Sequence, residues 1–427
     1  MSRTLAGWLA RIEQQHPEPI ALGLERVARV WQRMRMAIDA PVFTVSGTNG
    51  KGSTCAMLEA ILRSAGHRTG LYASPHLLRY NERVRICGTE ATDDALVAGF
   101  EAVEAARDDV PLTYFEYGTL GALWLFARER LDALVLEVGL GGRLDAVNIV
   151  DPDCAILTSI GIDHVGYLGD TREAIGAEKA GIFRRDRPAV VADRDPPRSV
   201  LDTARRQGAL LYLIGRDFDC HSEPHQWRYR GLDGSSTVLA HPALRGGAQL
   251  RNACAALAAL EALRTRVPVA MQDIRYGLAH VSLPGRFQVL PGRPQVILDV
   301  AHNPAAAQVL ADNLGASGYA PETVAVIGML GDKDAVGVVA ALSGRVTRWH
   351  VAALAGPRGS SGQAVMDAIA ASGSVAPATL HASAADAFRA ARGECGESDK
   401  IVVCGSFLTV AEVMATLEGG RRQSANG

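Results

Sequence analysis

Residues 41–54 read PVFTVSGTNGKGST, and the fold of the chain is read outward from them. Val42 to Val45 is a short apolar run rich in β-branched residues, which predicts a buried strand. Ser46-Gly47-Thr48-Asn49-Gly50-Lys51-Gly52-Ser53-Thr54 follows, and Cys55 to Ala65 continues with helical spacing. Strand, glycine loop and helix, with a lysine at the turn, form a phosphate cradle. Glycines let backbone N–H groups converge on the phosphates, and the helix N-terminus adds the positive end of its dipole. Lys51 would pair with the β- and γ-phosphates, and a hydroxyl of Ser53 or Thr54 could serve the phosphates or a metal. The match to G-x-x-x-x-G-K-[ST] is incomplete, because Val45 stands at the first Gly and Gly52 at the Ser/Thr position. For the loop alone, an ordinary Gly-rich βα turn is the competing reading.

The 427 residues exceed one typical core, so two or three domains are expected. With 44 basic and 46 acidic residues the net charge is −2, which gives no reason to expect nucleic acid or an anionic membrane as partner. The seven cysteines are scattered without C-x-x-C, which fits a reducing cytoplasm and indicates neither a zinc site nor a disulfide framework. Residues 1–20 carry Arg3, Arg11, Glu13 and Glu18 and no apolar core, unlike a signal peptide. No apolar run approaches the ~20 residues that span a bilayer.

Residues 1–40 read as two amphipathic helices. Thr69 to Tyr72 is a second strand, followed by Ser74-Pro75-His76, which by itself is a turn. Glu82 to Ile86 alternates like a hairpin arm, and Thr92 to Arg107 is a helix capped by Thr92. Leu112-Thr113-Tyr114-Phe115-Glu116-Tyr117 leads into a helix through Arg130; its aromatics suit core packing and a flat heteroaromatic ligand equally. Leu131 to Val138 is a buried strand delivering Glu137, an acid suitably placed for Mg²⁺ beside a phosphate loop. Cys154 to Ser159 is another strand, with Asp163 and His164 just past its end; a lone His there is commonly structural. Further strands are expected at Pro188 to Ala192 and Ala209 to Ile214, an irregular β excursion at Phe218 to Ala240, and an Ala-rich helix at Leu250 to Leu263.

Turn signals at Leu283-Pro284-Gly285-Arg286 and Pro291-Gly292-Arg293-Pro294 mark a domain break. The expected organisation is an N-terminal domain over residues 1–284, a linker over 285–294 and a C-terminal domain over 295–427. The first is a P-loop ATPase-type α/β domain with a mostly parallel sheet. In the second, strands at Val296 to Val300, Thr323 to Ile327, Arg348 to Ala353 and Ile401 to Cys404 alternate with helices, as in a smaller Rossmann-like α/β domain. Asp299 and His302 lie at a strand's C-terminal end, where such folds bind ligands, and His302 is a candidate catalytic residue there.

The variant Gly47-Thr48-Asn49-Gly50-Lys51-Gly52-Ser53 resembles the ATP loop of the Mur ligase superfamily in the form used by dihydrofolate and folylpolyglutamate synthases. Glu137-Val138-Gly139-Leu140-Gly141-Gly142-Arg143-Leu144-Asp145-Ala146 is similar to a second motif of that family. The resemblance runs in order from about residue 20 to 415. It implies an ATP-dependent amide ligase that adds L-glutamate to dihydropteroate and to the γ-carboxylate of reduced folates through an acyl phosphate. It implies ATP and Mg²⁺ as cofactors, and no nucleic acid or membrane partner; a monomer is expected. ATP would be held by Gly47 to Ser53, with Asn252 at the base, Arg286 at phosphate and Asp299 at the nucleotide. Mg²⁺, two ions in this family, would be held by Ser74, Glu137, His164 and a carbamylated Lys179. The pterin would be bordered by Ala21, Leu22, Gly23 and Leu24, by Thr113, Tyr114, Phe115 and Glu116, and by Leu144, Asp145 and Ala146. Ala21 departs from the family's usual Asp, and Leu408 from a common His or Tyr. Lys51 would act on the transferring phosphate, and Asp145 is the candidate general base.

Alternatives share most of these motifs. A folylpolyglutamate synthase would lack dihydropteroate activity. A cell-wall ligase would need a UDP-binding domain, for which the residues before Pro41 are too few, and a nucleotide switch would bind ATP without consuming glutamate.

Overall fold

The computed structural model describes residues 4–18, 20–356 and 358–425. The chain forms two compact units: residues 1–243 with 249–281, and residues 244–248 with 282–427.

The first unit opens with helices α1 (Leu5–Glu13) and α2 (Glu25–Met34), whose inner faces bury Trp8, Ile12, Val27 and Val30. Strand β1 (Val42–Ser46) is buried along its whole length, and α3 (Lys51–Ser64) follows the glycine loop. Next come β2 (Thr69–Tyr72), β3 (Val84–Ile86), β4 (Thr89–Glu90), α4 (Asp93–Arg107), α5 (Tyr114–Ala127), β5 (Ala133–Glu137) and β6 (Cys154–Leu157). After them are α6 (Val165–Leu168), α7 (Arg172–Ala180), β7 (Pro188–Val191), α8 (Arg198–Gln207) and β8 (Leu210–Leu213). The eight strands form one sheet in the order β4-β3-β2-β5-β1-β6-β7-β8. From β2 to β8 all pairings are parallel, and β3 and β4 add an antiparallel edge. The central strands read as continuous apolar runs because helices cover both faces. β1 thus lies between β5 and β6, with β2 beyond β5.

The expected irregular excursion is more regular than its composition suggests. β9 (Asp219–Ser222), β10 (Trp227–Arg230) and β11 (Ser236–Leu239) form an antiparallel sheet. In β10 Trp227 and Tyr229 are buried while Arg228 is exposed, the alternation of a one-sided sheet. Helices α9 (Gly247–Ala262) and α10 (Met271–His280) complete the run, α10 packing its Gly277 directly on the backbone of Ile61 in α3.

The second unit has a six-stranded sheet of β12 (Gln288–Leu290), β13 (Gln295–Leu298), β14 (Thr323–Ile327), β15 (Arg348–Ala352), β16 (Ala378–His381) and β17 (Lys400–Cys404). Its order is β12-β13-β17-β14-β15-β16, parallel except for β12. Helices α11 (Pro304–Ala316), α12 (Ala335–Leu342), α13 (Gly362–Ala371), α14 (Ala384–Glu394) and α15 (Phe407–Ala425) alternate with the strands. Two strands lay outside the sequence expectation. β12 falls in the stretch read as linker and pairs antiparallel with β13. β16 is a short, half-exposed edge strand with little apolar signal. Among the described residues no helix is long and apolar enough to cross a membrane.

Candidate active site

The glycine loop hangs between the C-terminal ends of β1 and β6. Gly47 and Gly50 have φ of 151° and 92°. A Cβ on Gly47 would lie 1.9 Å from Thr158 Oγ1, and one on Gly50 would lie 2.4 Å from Asn252 Oδ1. A side chain at either position would therefore strain the backbone and displace its neighbour. The segment after β6 braces the loop: Thr48 N–H donates to Ser159 O (2.7 Å), Asn49 N–H to Ser159 Oγ (3.1 Å) and Thr158 Oγ1 to Asn49 O (2.6 Å). Lys51 Nζ donates to Gly47 O (2.9 Å) and Thr48 O (3.3 Å), so the ammonium curls back over the loop that it closes. α3 starts at Gly50 with no side-chain cap, so its first N–H groups point at the loop's concave side. Asn252, on α9, is steadied by Gln249 Oε1 (2.9 Å) and lies against Gly50.

The candidate metal ligands come from the end of β5, the turns after β2 and β6, and helix α7. Glu137, the buried last residue of β5, accepts Ser74 N–H (3.2 Å), which joins the end of β5 to the turn after β2. His164 is the left-handed residue (φ 53°) that starts α6, and its N–H donates to Asp163 Oδ1 (2.8 Å). Lys179 is buried near the end of α7. Burial first, and then the positive charge of Lys51, push its ammonium down to about 7, while Asp163 and Asp145 pull the other way. Among the described residues no three His, Cys, Asp or Glu side chains converge as a self-contained metal cage. An oxygen-rich set with one carboxylate fits Mg²⁺, which keeps waters and binds substrate phosphates rather than filling an all-protein cage.

The three segments expected to border a pterin are joined to one another. Thr113 caps α5 and Glu116 completes its capping box, so Tyr114 to Tyr117 form the helix's first turn rather than a lead-in to it. The pattern Thr-x-x-Glu is the signature that the sequence held for this start. The helix ends at Ala127, short of the expected Arg130. Glu116 accepts Thr113 N–H (2.8 Å) and both Nε and Nη2 of Arg26 (2.9–3.3 Å). Arg26 Nη2 also donates to Ala21 O (2.6 Å), and Gly23 N–H donates to Leu144 O (3.2 Å). Leu22 and Leu24 are half-buried in the same turn, and Ala146 is buried behind it. Phe115 packs on Tyr72 with ring centres 5.9 Å apart and planes tilted by 41°, and occupies the space where Gly139 lacks a Cβ. Asp145 is buried and accepts Leu140 N–H (2.8 Å) and Val147 N–H (3.0 Å). Burial raises its carboxyl to about 6 against the pull of those N–H groups.

In the second unit, Asp299 ends the strand region of β13 and accepts Phe287 N–H and Ala301 N–H (2.8 Å each). Burial raises its carboxyl, and the Arg286 guanidinium opposes this. Arg286 lies 5.3 Å from the centre of the Phe407 ring, and the His302 ring is 6.2 Å from the same ring. His302 Nδ1 faces Val300 O at 2.8 Å. Arg286, Asp299 and His302 are thus neighbours, with Phe407 beside both Arg286 and His302.

Sequence reading missed several contributors. Arg26 looked like one more charge on an amphipathic helix. Arg83 covers Tyr80 (5.2 Å) and Tyr114 (5.5 Å) and donates through Nε to His76 Nδ1 (2.8 Å). Burial and Arg83 lower the His76 imidazole to about 4, so it stays a neutral acceptor. Thr158 and Ser159 were read only as the end of a strand. Phe407 lay in a turn whose neighbours departed from the family pattern.

The Mur ligase middle domain matches residues 45–260, and the Mur ligase glutamate ligase domain matches residues 285–407. The dihydrofolate synthase/folylpolyglutamate synthase of Escherichia coli is 46% identical over 418 residues, covering 98% of this chain and 96% of that protein. A structure of Escherichia coli FolC in complex with DHPP and ADP superposes with a TM-score of 0.93 at 46% identity, covering 98% of each chain. A bifunctional folylpolyglutamate synthase/dihydrofolate synthase with Mn, AMPPNP and L-glutamate bound gives 0.90 at 46% identity, covering 97% of this chain and 98% of that one.

Proposed function

The chain belongs to the dihydrofolate synthase/folylpolyglutamate synthases of the Mur ligase family, and from that premise we propose how its residues divide the reaction. It is an ADP-forming ligase that adds L-glutamate to dihydropteroate and to the γ-carboxylate of folylpolyglutamates. The reading rests on one observation above the rest. The C-terminal ends of β2, β5 and β1 carry the Ser74–Glu137 pair and the phosphate loop, and the joined segments at 21–24, 113–116 and 144–146 meet them where Phe115 packs on Gly139 and Tyr72.

A carboxylate is a poor electrophile. Its oxygen attacks the γ-phosphorus of ATP, the bond to the β-γ bridging oxygen breaks, and ADP leaves an acyl phosphate. The amine of glutamate then attacks the carbonyl carbon, phosphate departs with the bonding electrons, and the ammonium proton must be taken up. Phosphoryl transfer needs positioning and charge neutralisation more than covalent help. Lys51 lies within reach of the loop's concave side and leaves the Gly47 and Thr48 carbonyls for the transferring phosphate. Backbone N–H groups at the start of α3 receive the remaining phosphate oxygens. Ser74, Glu137 and His164 would hold Mg²⁺, which when bound spreads the developing negative charge. Lys179, with its ammonium held near 7, keeps a neutral fraction able to take up CO₂ as a carbamate and become a further oxygen ligand. Asp145, at about 6, is poised to take a proton, and its place among the segments that border the pterin supports the role of general base. Asn252 would meet the base, and Arg286 and Asp299 the nucleotide; His302 stands beside them. The cytoplasm, which supplies ATP and keeps thiols reduced, suits a chain whose seven cysteines are all free.

The test is ADP release by the purified protein with Mg-ATP and L-glutamate, offered either dihydropteroate or a reduced folate. Release with both substrates, each dependent on glutamate, is expected. Release with the folate alone would reduce the reading to a folylpolyglutamate synthase, and release with neither would remove it.

A further inference from the structure

We propose that Arg26 is a positioning residue of the pterin pocket, the tie that sets the spacing between the 21–24 turn and the start of α5. The inference rests on the reading that these segments border the pterin. It concerns a residue that touches neither nucleotide nor metal ligand in the arrangement described.

Glu116 has the composition of a ligand contact, a carboxylate beside three aromatic rings. Its surroundings say otherwise. Its side chain is 4% exposed. Oε1 accepts Arg26 Nε (3.2 Å) and Nη2 (2.9 Å), while Oε2 accepts Thr113 N–H (2.8 Å) and Arg26 Nε (3.3 Å). A carboxylate offers about four lone-pair sites, and three protein N–H groups, with the Arg26 Nε–H shared between the two oxygens, engage both oxygens here. Glu116 therefore acts on the pocket through Arg26.

Arg26 is suited to the task because its donors lie in one plane. Nε and one Nη2 hydrogen fork the carboxylate, and the second Nη2 hydrogen reaches Ala21 O at 2.6 Å. A lysine in the same place has one nitrogen and cannot span both acceptors in that geometry. The Ala21 carbonyl belongs to the turn that leads into α2, whose N-cap, Leu24, supplies no side-chain hydrogen bond. Among the described residues, one hydrogen bond joins the turn to the 144–146 segment, Gly23 N–H to Leu144 O at 3.2 Å, with Gly23 at φ 149°. Arg26 and Gly23 thus link all three segments in series, from α5 through the turn to Leu144. A flat ring held between such walls is sensitive to their separation, since displacements near 1 Å cost orders of magnitude in well-positioned sites.

The experiment compares full-length Arg26→Met, Arg26→Lys, Glu116→Gln and the Arg26→Met/Glu116→Gln double variant with wild type. It reads KM for dihydropteroate, for a reduced folate and for ATP, together with kcat and the thermal midpoint. Arg26→Met is expected to raise KM for both pterin substrates by about ten-fold or more, with KM for ATP within about two-fold. Arg26→Lys should also raise the pterin KM values, and the double variant should be no worse than Arg26→Met, because both changes remove one tie. A folded Arg26→Met enzyme with pterin KM values within about two-fold of wild type overturns the proposal, as does a loss spread equally over ATP and pterin. Should Arg26→Met fail to fold, Arg26→Lys decides by the same criteria. Wild-type protein that uses neither pterin substrate overturns the underlying reading, and the tie's role falls with it.

Discussion

Gly47→Ala puts the phosphate cradle to a quantitative test. The added methyl would sit 1.9 Å from Thr158 Oγ1 and 3.2 Å from Ser159 N. Thr158 cannot turn away freely: it is 4% exposed, and its hydroxyl already holds Asn49 O at 2.6 Å. The φ of 151° at Gly47 is costly for any L-residue. Such a conformation costs about 1–3 kcal/mol. Losing the Thr158 hydroxyl bond costs about 1 kcal/mol more. The sum, about 2–4 kcal/mol, falls on the loop shape that binds phosphate. Nucleotide affinity should then drop roughly 30- to 700-fold, at tenfold per 1.4 kcal/mol. Isothermal titration with Mg-ADP gives the Kd directly, and thermal unfolding separates a deformed loop from a misfolded domain. Adding Thr158→Ala should return the steric part and leave the backbone part. A single variant with Kd within about three-fold of wild type and an unchanged thermal midpoint would refute the reasoning.

Further outcomes follow from three individual side chains. Lys51→Ala should lower kcat for ADP release by roughly a thousand-fold while the fold survives, and near-normal turnover in a folded variant would sink the phosphate assignment. Wild-type activity should fall as pH drops below about 7, where the Lys179 amine becomes protonated and cannot hold CO₂, and bicarbonate should lift it near neutrality. Lys179→Ala should lose activity and regain part of it with a short carboxylate; mass spectrometry of an active enzyme with only unmodified Lys179, and activity retained in the alanine variant, would count against this. Arg107 first, and then Tyr117 and Arg11, hold the Glu104 carboxyl down to about 2 against its burial. Its contribution is full above the unfolded value and fades as pH falls from about 4.5 through about 2, so Glu104→Gln should flatten the acid unfolding curve, and an identical acid limb in both proteins would contradict it.

How much of this was legible depends on how far apart the cooperating residues lie. The strand, loop and helix around Lys51 are contiguous, and their glycines and apolar run carry the whole message. Glu137 could be picked out because an acid ending a fully apolar strand is unusual. The pairing of Arg26 with Glu116 spans 90 residues, and no local pattern encodes it. Glu116 in fact suggested a direct ligand contact, because composition shows a side chain's chemistry but not which partners already occupy it. The capping box of α5 is legible in Thr113-Tyr114-Phe115-Glu116, while the aromatics of the same stretch suit core and ligand equally and it is the family resemblance that makes it a binding segment. β12 was hidden by the proline-glycine pairs around it, which mark a break but do not forbid a three-residue edge strand between them.

The strand order β2-β5-β1-β6 brings together four chain ends that are remote in sequence: the Ser74 turn, Glu137, the glycine loop and the Thr158 brace. Each parallel pairing closes a long loop, so its entropy must be met before the contact forms. A peptide spanning the glycine loop alone should therefore show none of the intact unit's affinity for nucleotide, and a nascent chain should gain it only after β6 has been made and paired. Nucleotide affinity during synthesis or refolding would then register completion of the sheet's centre rather than growth of any single element. A bound nucleotide would in turn draw that last pairing to completion by mass action.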